Sequence, residues 1–168
     1  RHPQSLQNLV AAGHEIGNHT WSHPSLSGLS DGAILSQLDR TTQAVYEAVG
    51  RPPVTIRPPY GNLNPRQRRM VFETRGMPTV LWSIDPEDWR RPGSSVVAQR
   101  IVSRAHPGAV VLAHDIHRIE MQNGLEFPQQ CADPACMVEI LKIALADGFQ
   151  VDKHRGFVAN LVHPLGAD

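Results

Sequence analysis

Two histidines, His19 and His23, stand four residues apart in GHEIGNHTWSHPSL (13–26), with Pro24 directly behind the second. Imidazole nitrogens are good ligands for zinc and related divalent ions, so the pair raises the question of a metal site. An i, i+4 pair on a helix can share one ion, but Pro24 disfavours helical backbone at His23. The reading is therefore a turn after a strand, from which both rings reach one ion. The nearby His14-Glu15 is no H-E-x-x-H helix, because His14 and His19 are five apart with Gly17 between them. Two loop histidines, one packed and one exposed, would give the same pattern with no metal.

Three further stretches carry chemistry. RPPYG (57–61) sets Arg57 beside a rigid Pro58-Pro59 turn, whose backbone N–H groups after Pro59 can face an oxyanion. A common Pro-Gly turn would read the same way. WSIDPEDW (82–89) brings Asp85, Asp88 and Trp89 to a strand end, where one carboxylate can simply be a helix cap. VVLAHD (110–115) closes a buried strand with His114 next to Asp115, a pattern that structural histidines also produce.

The elements that position these residues alternate. Leu6, Leu9 and Val10 share one face of a helix over 3–12 that stops at Gly13. Ser30 caps a helix to about Val49, with Ile34, Leu38, Val45 and Val49 in one stripe and Gly50 beyond. Asn64-Pro65 opens a helix that runs to Arg75 before Gly76. Ser94 or Ser95 caps another through Ala105, and 134–147 forms the last. Extended segments are expected at 14–19, 54–58, 78–84, 108–115 and 148–152. Continuous apolar strands alternating with helices predict a parallel sheet with helices outside it. About five strands are too few to close a barrel comfortably. His19, Arg57, Asp85, Asp88, His114 and Asp115 fall at strand ends, the edge where parallel α/β folds collect their sites.

Composition narrows the partners. The 168 residues make one domain by length, and 40% hydrophobic against 19% charged content is that of a globular chain. Sixteen basic and sixteen acidic residues cancel without like-charge runs, which argues against nucleic acid or an anionic membrane. No apolar stretch is long enough for a membrane span. Cys131 and Cys136 in CADPAC fit neither a zinc knuckle nor a redox pair. They form a local disulfide if the protein is exported, and stay free thiols if it is cytosolic.

GHEIGNHTWSHPSL, RPPYG, WSIDPEDW and VVLAHD, in that order, resemble motifs two to five of the NodB-type polysaccharide deacetylases, carbohydrate esterase family 4. The resemblance implies a distorted (β/α) barrel of fewer than eight strands and one divalent metal, commonly zinc, with cobalt or another transition metal as alternatives. His19 and His23 match two ligands of an Asp-His-His triad. The ion would polarise an acetyl carbonyl and activate a bound water. His114 matches the general acid for the departing amine, Asp88 the carboxylate that orients it, and Arg57 the arginine that positions the base. Pro59 and Tyr60 match the substrate-binding stretch whose Tyr60 N–H stabilises the oxyanion. Trp89 and Leu112 match the walls of the acetyl pocket.

The sequence also departs from that pattern. The first motif, T-F-D-D-G, carries the base and the third ligand, and no Asp-Asp occurs here. The opening RHPQSLQNLVAAG resembles the helix before motif two. The expectation is a single partial domain over 1–168, an incomplete barrel lacking the first strand, a helix and the next strand. A companion N-terminal fragment would supply Asp-Asp, and without it the chain would hold metal weakly and be inactive. Residues 116–136 form a longer loop than usual. The implied substrate is an acetylated polysaccharide or oligosaccharide, an N-acetylglucosamine polymer such as peptidoglycan or chitin. Acetylated xylan is the alternative, and an inactive glycan-binding fragment the non-enzymatic one. The implied setting is secreted or the cell envelope.

Overall fold

The computed structural model describes residues 3–106 and 108–114. They fall in two compact units, one up to Leu81 and the other from Trp82 onward. The first unit holds helices α1 (Pro3–Ala11), α2 (Asp31–Val49) and α3 (Pro65–Arg75). Local chemistry sets their ends. The Ser30 hydroxyl accepts the Ala33 N–H at the start of α2, and Gly50 closes it at φ 73°. Asn64 and Gln67 form a reciprocal capping box around Pro65, and Gly76 ends α3 at φ 66°.

Helix α2 buries Ile34, Leu38, Thr41 and Val45. Ile34 and Leu38 pack with Leu26, Ile56, Leu63, Val71 and Met77 into one core. The capping-box residue Gln67 is itself buried, and its amide donates to the Leu26 carbonyl at 3.1 Å. That bond ties α3 to the short 3-10 turn Leu26–Gly28, which follows the histidine stretch.

The extended segments are shorter than expected. Among the described residues they meet at single parallel bridges, Asn18 with Ile56 and Ile56 with Thr79 in the first unit. Ile56 is therefore central. Asn18 N–H reaches Thr55 O at 2.8 Å, and Arg57 N–H returns to Asn18 O at 2.9 Å. Prolines 52, 53, 58, 59 and 78 have no N–H to extend these ladders, which accounts for their length. Gly17 permits the close approach: a Cβ there would lie 3.1 Å from the Thr55 hydroxyl.

Residues 78–84 are not one strand. Thr79 pairs with Ile56, whereas Ile84 pairs with Val111 inside the second unit. In that unit α4 covers Ser94–Val102 and buries Val97, Ala98 and Ile101. It is shorter than the helix expected through Ala105, because Arg104 and Ala105 close tighter bonds to Ile101 and Val102. The cap is Gly93, without a side-chain bond, and not a serine. The expected loop at 116–136, helix at 134–147 and strand at 148–152 lie outside the described residues, as do Asp115 and both cysteines. Among the described residues no helix is long and apolar enough to cross a membrane.

Leu38 is fully buried at the centre of the first unit's core. Leu38→Ala is expected to cost about 2–5 kcal/mol of stability. Urea unfolding of the two proteins measures it, and a loss well under 1 kcal/mol would contradict this placement of α2.

Candidate functional site

The first group of site residues grows out of the Asn18–Ile56 pairing. His19 follows Asn18 directly and is buried, and its Nδ1 lies against the Arg57 carbonyl. A carbonyl only accepts, so Nδ1 carries the proton and the acceptor lone pair of a neutral ring is on Nε2. A metal-ligating histidine is oriented in the same manner. His23 is set beside it, with ring centroids 4.9 Å apart and planes at 67°.

A strained turn makes that placement. Thr20 and His23 have φ of 71° and 56°, left-handed values for non-glycine residues, at roughly 1–2 kcal/mol each. His23 is thus outside any helix, on a turn with left-handed backbone. Asn18, fully buried, braces the start of the turn. Its Oδ1 accepts the Thr20 N–H at 2.9 Å, and its amide donates to Leu38 O and Thr42 Oγ1 on α2. The reading of the sequence missed Asn18, although an amide directly before a histidine at a strand end is a recognisable signal.

The rest of this group comes from RPPYG. Pro59–Gly61 is a 3-10 turn in which Tyr60 has φ 58°. Gly61 and Asn62 spend their N–H groups on the carbonyls of Pro58 and Pro59. The Tyr60 N–H donates to no acceptor among the described residues. The Tyr60 ring meets His23 edge-on at 4.9 Å, so the turn and the histidines are one cluster. Arg57 is 4% exposed, and its Nε and Nη2 have no partner among the described residues. Burial lowers its pKa, and an unpaired buried guanidinium is costly until an anion meets it.

The fit to a divalent ion follows from these donors. Two imidazoles, one with its proton held on a backbone carbonyl, match the ligand chemistry of zinc or cobalt. No third His, Cys, Asp or Glu joins them among the described residues.

The second group lies in the other unit. Asp88 is 5% exposed, and both of its oxygens are taken by His114. Oδ1 is 2.8 Å from His114 Nδ1, and Oδ2 accepts the His114 backbone N–H at 2.6 Å. The ring is thereby locked with Nδ1–H toward the carboxylate, so that in the neutral ring the lone pair is on Nε2. Asp85 is not the helix cap that the sequence allowed for one of these carboxylates, because Glu87 takes the cap position of the turn Asp88–Arg90. Its Oδ1 instead accepts the Glu87 N–H and shapes the loop. Glu87 and Arg91, at φ 55° and 56°, bracket the 3-10 turn Asp88–Arg90. Arg100 on α4 holds this loop through Pro86 O at 2.9 Å and Glu87 Oε2 at 3.1 Å. Nothing in the local sequence marked Arg100 for that task. Trp89, next to Asp88, is 48% exposed with the Arg90 guanidinium 4.7 Å from its ring. Leu112, two residues before His114, is buried and anchored by its N–H to Ile84 O.

Known proteins resemble this chain in sequence and fold. The family model "Polysaccharide deacetylase" matches residues 1–78. Peptidoglycan-N-acetylglucosamine deacetylase PgdA of Listeria monocytogenes is 36% identical over 118 residues, 70% of this chain and 24% of that protein. A chitooligosaccharide deacetylase of Rhizobium leguminosarum bv. trifolii is 36% identical over 116 residues, 68% of this chain and 53% of that protein. The solved structure of peptidoglycan deacetylase PdaC from Bacillus subtilis superposes with a TM-score of 0.72 at 33% identity, covering 89% of this chain and 66% of that one. The chain belongs to the polysaccharide deacetylase family, the NodB-type group of carbohydrate esterase family 4. It spans about a quarter of the length of the first curated relatives it matches.

Nitrogen-15 ring shifts test the histidine assignment. In metal-free protein, with the rings neutral, His19 is expected to show a protonated Nδ1 and a bare Nε2. The opposite tautomer would contradict the bond to the Arg57 carbonyl.

Proposed function

We propose that the chain acts as a metal-dependent deacetylase that hydrolyses N-acetyl groups of an N-acetylglucosamine polymer, peptidoglycan or chitin. One observation carries the reading: His19, its proton held by the Arg57 carbonyl, stands beside His23 on a turn strained to put it there. Relatives named as peptidoglycan and chitooligosaccharide deacetylases support the substrate class. Peptidoglycan or chitin as substrate supports a secreted or cell-envelope setting.

His19 and His23 would hold the divalent ion, zinc by preference, with further ligands from outside the described residues. When bound there, the ion supplies Lewis-acid polarisation of the acetyl carbonyl and activation of water. The chain's own residues do the rest. The Tyr60 N–H donates to the oxyanion that develops when water adds to the amide carbon. The C–N bond then breaks to give acetate and an amine, and the amine takes its proton from His114 Nε2. Asp88 holds that ring through Nδ1 and supports its charge during the transfer. Arg57 offers buried positive charge to the carboxylate that serves as base. Trp89 and Leu112 border the acetyl methyl.

The test is acetate release by the full-length protein from N-acetylglucosamine oligomers and peptidoglycan, with acetylated xylan alongside. Chelation is expected to abolish release, and zinc or cobalt to restore it. Activity that survives complete metal removal would sink the proposal, and activity on xylan alone would move it to O-deacetylation. Asp88→Asn sets an N–H donor against a His114 donor, which the ring escapes only by moving its proton to Nε2. A kcat loss on the order of 10²–10⁴-fold is expected with the fold intact. Unchanged kcat would remove His114 and Asp88 from the reaction.

A further inference from the structure

Four consecutive backbone N–H groups run through the histidine turn, and a side-chain oxygen accepts every one. Thr20 N–H goes to Asn18 Oδ1 and His23 N–H to Thr20 Oγ1, both from within the same stretch. The middle two go to a different element. Trp21 N–H and Ser22 N–H both donate to Oε1 of Gln37 on α2, at 3.0 and 2.9 Å. The Gln37 amide then donates to Ser22 Oγ at 3.0 Å. Those three bonds fix which way the carboxamide faces, since only its oxygen can accept two N–H groups.

From this we infer that Gln37 is a positioning residue for the metal-binding turn. The inference rests on the reading of His19 and His23 as ligands. Helix α2 is a firm base for it, because Ile34 and Leu38 on either side of Gln37 are fully buried. Arg40, one turn further along α2, adds a second contact with its guanidinium 4.5 Å from the Trp21 ring. The turn needs such support. Thr20 and His23 occupy left-handed backbone that non-glycine residues leave readily when the surroundings permit. Without Gln37, two N–H groups turn to water and the turn relaxes toward ordinary backbone. The population with His23 beside His19 falls, and apparent metal affinity falls by the same fraction.

Zinc binding by the full-length protein, with cobalt(II) spectra as a second probe, tests this in the wild type, Gln37→Met, Gln37→Ala and Gln37→Glu. The Met and Ala variants are expected to bind zinc more weakly, on the order of 10–100-fold. Their metal-free melting should stay near wild type, while amide exchange at Trp21 and Ser22 speeds up. Gln37→Glu keeps an oxygen for both N–H groups and should restore affinity and protection. Wild-type affinity in Gln37→Met or Gln37→Ala would overturn the assignment. So would loss of the fold in both, which would make Gln37 a purely structural residue. A wild type that takes up no metal would instead overturn the metal reading itself, while amide exchange still reports whether Gln37 holds the turn.

Discussion

The register of Asn18 against Ile56 is the constraint on which the histidine cluster depends. Two backbone bonds define it, and the next residue on one side is His19 while the next on the other is Arg57. The ring of His19 bonds the carbonyl of Arg57 only because the segments pair at this register. A slip by one residue would turn His19 to the opposite face and put another carbonyl in reach. Several features guard against that slip. Gly17 admits the neighbouring segment, the buried Asn18 amide reaches α2, and Pro58 ends the pairing at a set point.

His19 and His114 are held by the same ring nitrogen and differ in what holds it. His19 gives its Nδ1 proton to a neutral carbonyl, which fixes the ring and its tautomer without adding charge. That suits a neutral donor to a cation. His114 gives its Nδ1 proton to the Asp88 carboxylate, whose second oxygen takes the same residue's backbone N–H. That suits the proton-passing role proposed for this ring. Strained backbone accompanies both arrangements, at Thr20, His23 and Tyr60 in one unit and at Glu87 and Arg91 in the other. Side chains on helices α2 and α4 brace the strained segments from outside.

Much of this was legible in the sequence where the chemistry is local. Ser30, Gly50, Asn64, Pro65 and Gly76 act within a turn of themselves, so the ends of α2 and α3 could be read directly. The bonding of His114 to Asp88 was implied only by family resemblance, and the geometry also separates Asp88 from the loop-forming Asp85. The misreadings concern a cap position off by one residue and partners distant in sequence. Residues 78–84 look like one buried strand, yet Thr79 and Ile84 find different neighbours. The Ser94-Ser95 pair looks like a cap, yet Gly93 takes the position. Gln37 was passed over because it sits among the apolar positions of α2 as a polar exception. Such an exception beside a buried stripe is the signal to follow, since its amide needs partners that only the folded chain supplies.

The central claim is that His19 and His23 ligate one divalent ion. Crystals of the full-length protein grown with zinc, measured at energies on either side of the zinc absorption edge, test it most directly. The account predicts an anomalous peak about 2.0–2.1 Å from one imidazole nitrogen of each histidine, Nε2 in the case of His19. A zinc-loaded protein with that peak elsewhere, or with neither ring within bonding distance of it, would contradict the account.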